Sequence, residues 1–302
     1  MNEVFKAEMF RFFKSKVWLF YLAIVSLVSL FLITSISEKG QAEWKNELKT
    51  ENIQLQHAKD SSSRVYDLNS LYLKKNVQPP TSSTFTGYMS SVLSLRGLGL
   101  LIVIFPIVIA AGIAKDLENK RMNFILTSPV TRSTYFYGRL FSVLVITLLL
   151  LACILTINLL IALFYFKDTS VYDVVYYIKG DQILSSSGLS YILSNIVCSL
   201  PYYLTYSVIA YSLATIFKSS VISLSVTLLF ALLGTQLVSG LGIVNTTTLF
   251  VLPAIIDITK SIAPENVFQA SNYTVWLALF IILCYVVLFS MWGQYSFKKA
   301  DI

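Results

Sequence analysis

Groups able to do covalent or acid–base chemistry are sparse in this 302-residue chain. The single histidine, His57, lies in a mixed-charge stretch, 43–59 (EWKNELKTENIQLQHAK), that reads as a solvated helix. One imidazole cannot assemble a metal site, so His57 is read as an exposed helical residue. Cys153, Cys198 and Cys284 all fall inside apolar runs, which excludes a disulfide framework and fits a membrane facing a reducing cytoplasm. His-Glu-x-x-His, Gly-x-Ser-x-Gly and paired aspartates within an apolar run are absent. So is Gly-x-x-x-x-Gly-Lys-Ser/Thr, the loop whose backbone N–H groups cradle phosphates, and the chain is not expected to bind ATP in that way.

Two constellations remain. The first is 115–139, KDLENKRMNFILTSPVTRSTYFYGR. It starts as an amphipathic helix, with Leu117, Phe124 and Ile125 set against Asp116, Glu118, Lys120 and Arg121. Pro129 breaks that helix, and Thr131 or Ser133 can cap the next one. An apolar cluster (Phe124, Ile125, Leu126) in a charged, water-side segment calls for a partner surface. The second constellation is Asn195, Ser199, Tyr202 and Tyr206, at i, i+4, i+7 and i+11 of an apolar run. Polar groups in lipid face protein or water, so this stripe reads either as the lining of a path or subunit interface, or as ordinary helix packing. Pro201 in the same run predicts a kink.

The elements that carry these residues are set by composition. Hydrophobic residues make up 56% and charged residues 13%, where a soluble domain has roughly 25% charged; the mean hydropathy is +0.70. Six uncharged apolar runs (17–36, 97–114, 140–166, 191–217, 221–239 and 273–295) are each about the length needed to cross a bilayer as a helix. The first is too long for the apolar part of a cleavable leader, and no small-residue cleavage site follows it. With both termini on one side, that side carries 12 basic and 5 acidic residues, and the opposite side carries 11 of each. The basic side is therefore read as cytoplasmic. The basic excess faces anionic headgroups, and no nucleic acid partner is implied.

Residues 1–16 read as an interfacial helix, with Phe5, Met9 and Phe12 at helical spacing and Lys6, Arg11 and Lys14 supplying charge. Residues 37–96 form a long exterior loop, in which Gln78-Pro79-Pro80 leads back to the membrane. Residues 240–272 are broken by Gly240, Gly242, Pro253 and Pro264 and read as short exterior helices, with Asp257 and Lys260 as a surface pair. The expected fold is an all-α integral membrane protein. It has one transmembrane domain (1–302), six spans, an N-terminal interfacial helix and both termini in the cytoplasm.

Within 115–139, Glu118 is followed by Leu126-Thr127-Ser128-Pro129-Val130-Thr131-Arg132 and then Gly138-Arg139. This order resembles the first cytoplasmic loop of the permease subunits of type-2 ATP-binding-cassette (ABC) exporters. The segment 119–123 lacks the glycine usual in that loop. The resemblance implies a coupling loop that docks into a separate ABC ATPase, with Phe124, Ile125, Leu126, Pro129 and Arg132 as its surface and Glu118 and Arg139 orienting it. It also implies two ATPase copies that bind the ATP and Mg, a second permease, same or related, and a multi-pass protein of a bacterial cytoplasmic membrane. The permease itself would be non-catalytic and bind no cofactor. Two rival readings are a polytopic membrane enzyme and a channel or scaffold without an ATPase partner.

Overall fold

In the computed structural model, the described residues are 2–57, 64–79, 84–92, 104, 106–110, 112, 131–166, 174–179, 182–240 and 275–299. The elements run α1 (Asn2–Ser15), α2 (Val17–His57), α3 (Arg64–Lys75), α4 (Phe85–Ser91), α5 (Arg132–Tyr165), β1 (Val174–Lys179), β2 (Gln182–Ser187), α6 (Gly188–Phe217), α7 (Ser220–Gly240) and α8 (Val275–Lys299). Among the described residues, α2, α5, α6 and α8 each hold a stretch long and apolar enough to cross a membrane. Helix α7 is itself 21 residues long, Ser220–Gly240. Of the expected run 97–114, residues 104, 106–110 and 112 are described and helical, with Ile107 and Ala110 fully buried.

Lys16, held at φ 53°, breaks α1 from α2. The left-handed region disfavours a side chain, so the turn is held by its surroundings. The indole N–H of Trp18 donates to the Phe13 carbonyl across the break at 3.3 Å, and the Phe12, Phe13 and Trp18 rings cluster there. From Val17 onward, α2 runs unbroken for 41 residues, about 60 Å at the helical rise. The expected separation into a span ending at 36 and a solvated helix from 43 is therefore replaced by one rod. No proline or glycine pair interrupts 36–43, so nothing local stops the helix where it leaves the apolar layer.

The distal half of α2 supports a small outer module. Leu48, Leu68 and Tyr72 form its buried centre, packed by Trp44, Leu73, Val77, Tyr176 and Ile183. The loop expected at 167–190 holds an antiparallel hairpin, with Val174 opposite Ser187 and Lys179 opposite Gln182. This departs from a purely helical fold, and its signal is visible: Val-Val-Tyr-Tyr-Ile favours strand, and Gly180-Asp181 separates the two strands. The Tyr72 hydroxyl donates to the Tyr176 carbonyl and accepts the Tyr176 N–H, fastening α3 to β1. Ser187 ends β2 and also caps α6, so the hairpin feeds directly into a long apolar helix.

Helix α6 is central and packs against α4, α5, α7 and α8. Hydroxyl bonds tie the helices together. Thr147 and Ser207 meet at 3.1 Å between α5 and α6, and Ser223 of α7 donates to the Ala210 carbonyl of α6 at 2.7 Å. Apolar attraction between helices is weak in lipid, so such bonds and close packing carry association. Gly293 provides the close packing for α8. A β-carbon there would lie 3.1 Å from Phe136, Ser212 and Thr215.

Candidate functional site

The site is built at the bundle end where α1 lies, where α5 begins and where α6 and α8 finish. Of the residues expected to form a docking loop, Glu118, Phe124, Ile125, Leu126 and Pro129 lie outside the described residues. Arg132 and Arg139 are described, and both belong to the first two turns of α5. That helix starts at Arg132, eight residues ahead of the expected span. Thr131 is its cap, its side chain accepting the Thr134 N–H at 3.3 Å. The exit of the loop is therefore the first turn of a 34-residue helix that runs the length of the bundle.

Residues 132, 135, 136 and 139 share one face of α5, and between them they reach α8, α6 and α1. Arg132 Nη1 donates to the Lys298 carbonyl at 2.8 Å, at the end of α8. The Tyr135 ring stacks on Phe297 with centroids 6.1 Å apart. Phe136 meets Phe297 and Tyr211, and the Tyr211 hydroxyl donates to the Phe136 carbonyl at 3.1 Å. Tyr137, on the flank, donates to Gln294 Oε1 at 3.0 Å.

Arg139 is fully buried. Its Nε lies 2.9 Å from Glu8 Oε1 of α1, and its guanidinium stands 5.2 Å over the Tyr135 ring. A guanidinium in an apolar interior needs a counter-charge, because desolvating it alone costs several kcal/mol. Glu8 is that counter-charge, itself only 17% exposed at the side chain. The resemblance has Arg139 orienting the docking surface together with Glu118, which lies outside the described residues; among the described residues Arg139 meets Glu8 of the N-terminal helix. Sequence reasoning counted Glu8 in the charge balance but gave it no partner, since it assigned the charged side of 1–16 to Lys6, Arg11 and Lys14. Glu8 sits among Phe5, Met9 and Phe12, on the face that packs inward, and a carboxylate on an apolar face asks for a buried partner. A Phe5–Phe141 ring contact at 5.3 Å strengthens the same α1–α5 contact.

Asn195, Ser199, Tyr202 and Tyr206 lie together on one side of α6, and all four are buried inside this chain. Ser199 donates to the Ile196 carbonyl at 2.8 Å, and the Tyr202 and Tyr206 rings lie 5.0 Å apart. Thr205, beside them, donates to the Pro201 carbonyl at 2.6 Å.

A sequence profile described as ABC-2 family transporter protein matches residues 15–293, nearly the whole chain. The chain belongs to the ABC-2 transporter family. No curated protein and no solved structure matches it. For an ABC-2 family chain the helix bundle is the membrane-spanning permease.

Proposed function

We propose that this chain is the permease subunit of an ABC exporter, driven by a separate ATPase that docks on 115–139. The observation that carries the reading is the anchoring of the loop's exit: Arg132 on α8 and Arg139 on α1, within two turns of the Thr131 cap. A displacement at 131 would act on the start of α5, on the end of α8 and on α1 together, because each is joined to the same helical face. On this reading the near end is cytoplasmic and the outer module is external, in agreement with the distribution of Lys and Arg. The membrane is a bacterial cytoplasmic membrane. Two ATPase copies bind ATP and Mg, two permeases share one path, and the permease performs no chemistry and holds no cofactor.

The test is Phe124→Asp, read by co-purification of the ATPase from solubilised membranes. A carboxylate desolvated without a counter-charge costs several kcal/mol, so the ATPase is lost while membrane insertion stays normal. Glu43→Ala in the exterior stretch leaves the partner bound. Retention of both partner and transport by Phe124→Asp would remove the coupling assignment. Failure of any ATPase to co-purify with the native chain would favour the channel or enzyme reading. Thiol labelling of intact cells checks the orientation: cysteines placed in 45–56 should react, and those at 132–137 only after permeabilisation.

A further inference from the structure

Helix α4 lies in what sequence alone reads as an exterior loop, yet it is enclosed. Phe85, Thr86, Tyr88, Met89 and Val92 are each no more than 4% exposed, which for so short a helix means protein on nearly every side. It packs against α5 and α6. The Phe85 and Tyr88 rings both meet Phe166, at 6.5 and 5.9 Å. The Tyr88 hydroxyl donates to Asn158 Oδ1 at 2.8 Å, and Ser29 of α2 lies against the same hydroxyl. Asn158 is fully buried and donates its amide N–H to the Ile154 carbonyl.

Asn158 sits two turns inside α5 from its outer end at Tyr165, about 10 Å along the axis. Tyr88 therefore reaches well below the rim of the bundle. Chain at that depth is tolerated only where protein surrounds it or where it borders a water-filled space. Asn158 is also a costly residue in an apolar run unless its amide is matched. Its carboxamide oxygen faces the loop helix, so removal of α4 would leave that oxygen to water.

We infer that α4 is a re-entrant plug that closes the outer end of the permease and is latched by Tyr88 on Asn158. The inference rests on the transporter reading above. A transporter must seal its outer end at rest and release it in the cycle. A plug held by apolar packing and by the Tyr88–Asn158 hydroxyl–amide bond meets both demands, because the groups of that bond can be hydrated once uncovered. Tyr88 and Asn158 act by holding the plug in position.

The experiment uses the full permease with its ATPase in membrane vesicles, with Cys153, Cys198 and Cys284 replaced by alanine and Met89→Cys as the reporter. A membrane-impermeant maleimide, applied from the outer face, reports exposure of α4. Labelling should be slow at rest and at least about tenfold faster during ATP turnover, since a closed resting site opens only when its population shifts by more than about 1.4 kcal/mol. Tyr88→Phe and Asn158→Ala should each speed resting labelling by about fivefold, the shift expected from one ordinary hydrogen bond. The double variant should do no more than Tyr88→Phe alone, since that change already removes the hydroxyl that bonds Asn158. Val92→Cys serves as reporter if Met89→Cys fails to insert. Equal labelling with and without turnover, while the ATPase stays bound, overturns the plug, as does an unchanged resting rate in both latch variants. If no ATPase binds but the latch variants still speed resting labelling, the exporter reading fails and the latch stands.

Discussion

Glu8→Gln isolates the role of the buried ion pair. At 2.9 Å and an effective dielectric constant of about 20, the gross attraction between Glu8 and Arg139 is about 6 kcal/mol. Most of this offsets the desolvation of Arg139, whose side chain is 1% exposed. Neutralising Glu8 leaves the guanidinium buried with the Tyr135 ring still beneath it, which recovers part of the loss. The net cost should be about 3 kcal/mol, a hundredfold or more in the folding equilibrium. Arg139→Met should cost less, because the remaining carboxylate is partly exposed and can be hydrated. The combined Glu8→Leu and Arg139→Met chain should return to within about 1 kcal/mol of the native stability, since apolar pairs replace buried ion pairs at little cost. Unfolding free energies in mixed micelles measure all three, and the cycle gives the coupling. Glu118→Gln is the decisive control. If it destabilises the chain more than Glu8→Gln does, Arg139 takes its counter-charge from the loop and the α1 clamp is refuted.

Gly293→Val should loosen α8 from α5 and α6 and lower stability by about 1–3 kcal/mol, because a side chain there meets Phe136, Ser212 and Thr215 at 3.1 Å; thermal unfolding in detergent checks it. Tyr72→Phe removes both bonds to Tyr176 and should cost about 1–3 kcal/mol of local stability, read as faster proteolysis between β1 and β2. Burial pushes the Tyr72 phenol above the ordinary tyrosine value of about 10, so the neutral form is favoured in the fold. The stabilisation is then complete at neutral pH and declines only as the medium rises past that value, and proteolysis across pH 8–11 should show this in the native chain and not in Tyr72→Phe.

Much of the architecture can be read along the chain because the bilayer is a strict solvent. Uncharged runs of about 20 residues must become helices, and α2, α5, α6 and α8 start or end within a few residues of the runs wherever no further helical sequence adjoins them. A cap after Pro129 was legible for a similar reason, since a hydroxyl before an apolar run has a local partner; the choice of Thr131 over Ser133 came from the fold. The residues that carry the family resemblance all fall within one 25-residue segment, 115–139, so they can be read along the chain. Where α2 stops was not legible, because polar helix formers continue the rod in water with no change of backbone. The hairpin was passed over because a two-stranded unit gains stability only from what it packs on, here Tyr72 more than 100 residues away in sequence.

Tertiary structure alone decided the partners of the buried polar groups. Glu8 and Arg139 are separated by 131 positions, and Tyr88 and Asn158 by 70. Hydropathy and helical periodicity look only a few turns ahead, and each of these residues is out of place on that scale: a carboxylate on an apolar face, an arginine at the head of a span, a tyrosine in a loop, an amide in lipid. The chain determines that such groups need partners, because burial without one is costly. Only the packing of α1 on α5 and of α4 into the bundle determines which partner each one meets.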